Sequence, residues 1–242
     1  VKNVEASPKG RVKEEHPYLT TFLALSLIAL CVWASQWQYH RGVARHYRNS
    51  IIASHVGQTP ITLEQITKDL AAAEWRKVSI QGRFDPTHQI LLRDRYFEGK
   101  YGFDLLTLFT DVTGKIFWID RGWIPPGKSA ASAPRLPPTF TGPVSITGRV
   151  RLDHSLPQGS FFAVSPGQTG KLIQKWNAQT KTSVQTENFY IDLLQISQPS
   201  MTPSAPVDLP ELTDGPHMAY ALQWIFFAGL IVYGRILLRR GR

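Results

Sequence analysis

"GPHMAYALQWIFFAGLIVYGR", residues 215–235, is the stretch whose reading decides the fold. It opens on one histidine, His217, and carries no charged side chain until Arg235 closes it. An α-helix rises 1.5 Å per residue, so roughly 20 apolar residues cross the hydrocarbon layer of a bilayer. Residues 18–39 form a second run of this kind, with "TFLALSLIALCVWASQW" at its centre. Both runs are expected to be transmembrane helices. The first reads as a span and not as a cleaved leader, because a secretory apolar region has about 7–15 residues and this run is longer. It also ends in the interfacial aromatics Trp37 and Tyr39. Cys31 is expected to be a small apolar residue within that helix, since bulky Leu30 precedes it where lipoprotein cleavage needs a small one.

Charge sets the orientation. Asp208, Glu211 and Asp214 precede the second run, whereas Arg235, Arg239, Arg240 and Arg242 close it. The positive-inside bias therefore puts the C-terminus in the cytoplasm. The expected layout is a cytoplasmic tail (1–17), a first span (18–39), a domain on the periplasmic side (40–214), a second span (215–235) and a basic cytoplasmic tail (236–242). This describes a multi-pass protein of the cell membrane with both termini cytoplasmic.

Composition removes several function classes. One cysteine excludes an internal disulfide, a paired-thiol redox centre and a thiolate zinc cage. Two methionines make a copper carrier a poor fit. The formal charge of +9 lies about half in the residues flanking the two runs, so it reads as membrane-flanking charge and not as a nucleic-acid surface.

Between the runs, "TPITLEQITKDLAAAEW" (59–75) reads as a helix, with Thr59–Pro60 as its start or Thr62 and Gln65 as an alternative capping box. Six later segments are short and rich in β-branched and aromatic residues: 75–85, 88–97, 101–111, 115–125, 144–152 and 189–196. They predict a mostly β domain, an antiparallel sandwich or barrel-like sheet. The Pro/Ala/Ser-rich residues 125–143 read as a loop, and residues 153–188 as a long insertion with a short helix around "KLIQKW".

"GWIPPGKS" (122–129) matches the phosphate-loop pattern letter for letter. That loop works by aiming backbone N–H groups at phosphates, and Pro125 and Pro126 have none. No nucleotide is expected; Arg121, Gly122 and Trp123 instead read as packing or docking residues. Asp85, Asp94, Asp104, Asp111 and Asp120 lie among turns and strands and read as turn or solvated residues. With no G-x-S-x-G elbow and no spaced histidine pair, enzymatic chemistry is not expected.

His217 shares a helix face with Tyr220, Ala221 and Trp224. Two readings stand side by side. One is an interfacial aromatic belt with a wetted histidine. The other is a neutral imidazole ligating the iron of a flat apolar cofactor lodged between the helices. Trp37 and Arg41, one turn apart on the first run, read either as an anchor with a snorkelling cation or as a contact surface and propionate partner, the latter shared with Arg45.

Four stretches together resemble the surfeit locus protein 1 family, assembly factors of haem-copper cytochrome oxidases: "WQYHR" (37–41), "WRKVSIQGRFD" (75–85), "IDRGWIPPG" (119–127) and "GPHMAYALQW" (215–224). The resemblance covers nearly the whole chain and is poorest over 153–188. It implies a role in supplying or stabilising haem a during maturation of oxidase subunit I. The implied cofactor-binding set is His217, as iron ligand, with Trp37, Arg41, Tyr220 and Trp224. Implied partners are oxidase subunit I or its assembly intermediate, the haem a synthesis machinery and the lipid bilayer. The competing reading is a stably bound scaffold subunit without haem of its own.

Overall fold

The computed structural model describes residues 15–127, 134–152, 172–203 and 205–240. Most of the expected N-terminal tail and residues 153–171 of the expected insertion lie outside the described residues. The chain divides into two compact units, one from residues 1–51 with 211–242 and the other from 52–210.

The first unit is a pair of antiparallel helices, α1 (Pro17–Val56) and α5 (His217–Arg240). Both are long and apolar enough to cross a membrane. With 40 residues, α1 runs past Tyr39 and absorbs the basic stretch that follows. Thr21, Ala24, Ile28, Cys31, Ser35, Gln38, Gly42, Arg45 and Asn49 form a continuous half-buried to buried stripe along α1. On α5 the corresponding stripe is His217, Ala221, Trp224, Ala228, Ile231 and Arg235. Steps alternating between three and four residues give the 3.5-residue repeat of a left-handed helix seam. Small residues let the backbones approach, and hydrogen bonds then fix the register. Ser35 Oγ donates to Ala221 O at 2.9 Å, and a Cβ added at Gly42 would lie 3.0 Å from Met218 Sδ. At the far end the Arg235 guanidinium donates to Thr21 Oγ1 at 2.6 Å and to Pro17 O at 3.0 Å.

The second unit is a mixed sheet of five strands: β1 (Lys77–Phe97), β2 (Lys100–Asp111), β3 (Ile116–Ile124), β4 (Val144–Leu152) and β5 (Phe189–Ile196). The order β1-β2-β3-β5-β4 returns to β1, so every strand has a paired neighbour on each side over part of its length. Four pairings are antiparallel; β3 with β5 is parallel, which the expected antiparallel pattern did not include. Segments 75–85 and 88–97, read as two strands, join into β1, which shifts register between Asp85 and Gln89. Glu98 and Gly99, both at positive φ, make the two-residue turn into β2.

The helix expected over 59–75 is split. Thr62 caps α2 (Leu63–Lys68) through the capping box with Gln65, not Thr59–Pro60. Asp69, extended at φ −147, ends α2, and its carboxylate accepts from Ala72 N to start α3 (Leu70–Ala73). The short helix expected around "KLIQKW" is α4 (Leu172–Gln179).

Successive strand residues face opposite sides, and both sides of β3 are buried. Phe117 and Ile119 join Val78, Phe109, Val150 and Ile191 in one core. Trp118 joins Leu106, Leu108 and Tyr190 in another, covered by Leu172, Ile173 and Trp176 of α4.

Candidate functional site

His217 is the first residue of α5 and half-buried, with Nδ1 2.9 Å from Gln38 Oε1 on α1. An amide oxygen only accepts, so in this contact Nδ1–H is the donor. In the neutral form of the ring Nε2 would carry the lone pair. Metal-ligating histidines are oriented in this way, through a hydrogen bond at the other ring nitrogen. Gln38 was not among the expected residues. Its signal is an amide within an uncharged run, a costly placement that calls for a partner, though nearby Gln36 carries the same signal.

The remaining expected residues fall around this contact. The Arg41 guanidinium stacks 5.0 Å from the centre of the Trp37 ring. Trp37 and Tyr220 are 45% and 47% exposed, which leaves flat aromatic surface outside the seam. Trp224 lies in the seam itself and meets Phe227 edge-on at 5.9 Å. Trp37 and Arg41 each precede a seam residue of α1 by one position, and Tyr220 precedes Ala221. In an antiparallel pair these positions emerge on the same flank. Arg45, expected as a second propionate partner, donates instead to Thr213 O at 2.7 Å. Beside it His46 and Asn49 hold Asp214, whose carboxyl is kept below its usual range first by the hydrogen bond to His46.

The seam bears directly on the expected cofactor position. The Ser35–Ala221 contact and the close approach of Gly42 to Met218 bracket His217 and Gln38, leaving no slot for a macrocycle between the helices. The residues do fit a flat cofactor on the flank, where His217 Nε2, Trp37, Arg41 and Tyr220 would hold it. Trp224, half-buried in the seam, would contribute by positioning the helices.

The β-domain holds a second polar cluster. Asp192 Oδ2 accepts from Arg149 Nε at 3.1 Å, Arg149 Nη2 at 2.9 Å and Arg151 Nη1 at 2.8 Å. Arg95 pairs with Asp104, and Asp120 stands opposite Asp192 in the parallel β3–β5 register. Burial, then the charges of Asp104 and Asp192, push the Asp120 carboxyl well above its usual range. Asp104 and Asp120 are thus buried network residues, not the solvated or turn residues expected. Covered strand faces exclude water from them. Asp85 and Asp111 are turn residues as expected, accepting from the backbone N–H of Thr87 and Thr113. Among the described residues no cluster of His, Cys, Asp and Glu has the arrangement of a metal site.

Arg121, Gly122 and Trp123 sit where β3 bulges: Asp104 faces Trp123 and Leu106 faces Asp120, leaving two residues opposite Leu105. Gly122 has φ +93, and a Cβ there would come within 2.5 Å of Ala205 O. The triplet therefore shapes the end of the sheet. Of the phosphate-loop pattern, Gly122 to Ile124 lie in β3, while Lys128 and Ser129 lie outside the described residues.

Comparison with known proteins finds relatives along most of the chain. SURF1-like proteins of Mycobacterium tuberculosis and Mycobacterium bovis are each 29% identical over 239 residues, covering 90% of this chain and 86% of the relative. The model of the SURF1 family matches residues 25–229, from within α1 through the sheet and into α5, and the chain belongs to that family.

Proposed function

We propose that this protein is a membrane assembly factor for haem-copper cytochrome oxidase that holds haem a for subunit I, with His217 as the protein ligand to iron. The observation that carries the reading is the Gln38–His217 hydrogen bond, which orients the imidazole at the head of an apolar helix. Family membership supports the link to oxidase assembly, and the exposed Trp37 and Tyr220 beside Arg41 support a flat anionic cargo. Bound haem would supply iron chemistry only to the oxidase. This chain's part is to bind, orient and release, and no catalytic step of its own is needed. Holding haem through one protein ligand, His217, would suit a carrier that must release its cargo.

Two helices with outward apolar side chains support a multi-pass placement in the cell membrane, and the charge step across α5 supports cytoplasmic termini. A phosphatase active only outside the cell, fused after residue 242, is expected to stay silent. A second reading, a scaffold subunit docking through its β-domain, is favoured by the closed seam, in which the Gln38–His217 bond serves packing alone.

Purification from cells that make haem a separates the two. His217→Ala should insert normally, carry less haem per protein and shift the absorption spectrum of what remains. Arg41→Ala should weaken retention less. Wild-type haem content with an unchanged spectrum in His217→Ala would replace the carrier reading with the scaffold.

A further inference from the structure

We infer that a half-open cavity of about 320 Å³ in the β-domain, lined by Arg121 and Arg135 and walled by Leu105, Ile124, Leu136 and Met201, binds a small organic carboxylate through the Arg121 guanidinium. The starting observation is a buried charge without a counter-charge. Arg121 is 6% exposed, yet its partners are neutral: Nη1 donates to Thr139 Oγ1 at 2.6 Å and Nη2 to Pro138 O at 3.0 Å. The Phe84 ring, 5.8 Å away, offers only a weak cation–π contact. The other buried or half-buried arginines that form ion pairs in the domain behave differently. Arg95, Arg149 and Arg151 each pair with an aspartate, whereas no described carboxylate pairs with Arg121. Burial alone lowers its pKa to about 10, the expected response of a desolvated cation that no anion compensates.

Chemistry narrows the ligand. A guanidinium has five N–H donors, and two here are spent on Thr139 and Pro138; the rest suit one carboxylate. A polyphosphate would need more donors than one buried cation and one exposed one supply. The apolar walls call for an acid with a hydrocarbon body, and the exposed Arg135 adds attraction at the mouth. This site lies within the β-domain and is independent of the His217 reading.

The test uses the full chain in detergent and ligand-observed NMR with hexanoate as probe, hexanamide as its neutral counterpart and inorganic phosphate as a second anion. Saturable hexanoate binding is expected, at least tenfold tighter than hexanamide or phosphate. Arg121→Lys, which keeps the charge and loses the fork, should weaken it about tenfold. Should that variant fail to fold, Arg135→Glu decides, because it alters only an exposed side chain and should weaken hexanoate several-fold. No saturable hexanoate binding overturns the proposal. So does equal affinity for hexanamide, preference for phosphate, or affinity unmoved in a folded Arg121→Lys or in Arg135→Glu.

Discussion

In the helical pair, Phe22 is 66% exposed, Leu222 71% and Phe226 62%, while the seam holds Ser35, Gly42, Ala221 and Ala228. In the β-domain Phe109, Phe117, Trp118 and Phe189 are wholly buried and the small residues sit in turns and close strand crossings. The two units place large apolar side chains on opposite sides of their backbones. Water drives them inward in the sheet. Lipid tails are as apolar as leucine, so a helix pair in a bilayer gains nothing by hiding them and associates through close backbone approach and hydrogen bonds. Polar groups differ in the same way. Mid-seam, Ser35 and Gln38 each make one hydrogen bond across the helices, whereas the sheet buries whole ion pairs.

Substitutions in each unit probe that contrast. Asp192→Ala strands two buried arginines, and removing one partner of a buried pair costs about 3–5 kcal/mol. Thermal unfolding of the full chain in detergent, followed by tryptophan near-UV circular dichroism, should show the β-domain melting far below wild type. A loss under about 1 kcal/mol would mean the network carries little of the fold.

Next in size is Gly42→Leu, which drives a large side chain into the space held by Met218 and His217. Ser35→Cys with Ala221→Cys, in a Cys31→Ser background, should cross-link readily on oxidation. Adding Gly42→Leu should reduce that yield several-fold while the β-domain melts unchanged. Equal yields would show that the seam does not depend on close approach.

Asp120→Asn should act in the opposite direction. Asp120 Oδ1 accepts from Gly122 N at 2.9 Å, and an asparagine oxygen keeps that bond while removing a charge beside Asp104 and Asp192. A carboxyl whose folded pKa lies above the unfolded value of about 3.9 binds its proton more tightly in the native state. Native stability therefore falls as pH rises from that value to the raised one, then levels off. The variant should lose this fall and be more stable than the parent at neutral pH. Parallel pH–stability curves for variant and parent would refute the raised pKa. The smallest effect belongs to Phe226→Ala on the outward face of α5, expected within about 0.5 kcal/mol, where the same change at buried Phe117 should cost about 3–5 kcal/mol.

Much of this is written in local pattern. Strands β4 and β5 fall at the residues where alternation and β-branched composition place them. The union of 75–85 with 88–97 is not written there, because Asp85-Pro86-Thr87 has the composition of a break; pairing with β2 on both sides carries the strand through it. His217 stands out as the lone imidazole of its run, but Gln38, its partner, is 179 residues away and no spacing rule spans that distance. Asp104 and Asp120 look like solvated strand acids until the sheet and its coverings bury them.

By itself, the sequence determined the two apolar helices, the β texture between them and the histidine at the head of the second run. Each is set by side-chain composition and period over neighbouring residues. Tertiary structure alone decided the parallel β3–β5 pair, the ion network around Asp192, the uncompensated Arg121 and the close seam between α1 and α5. These depend on which distant groups meet and how much water is left between them, and that is fixed only when the chain closes on itself.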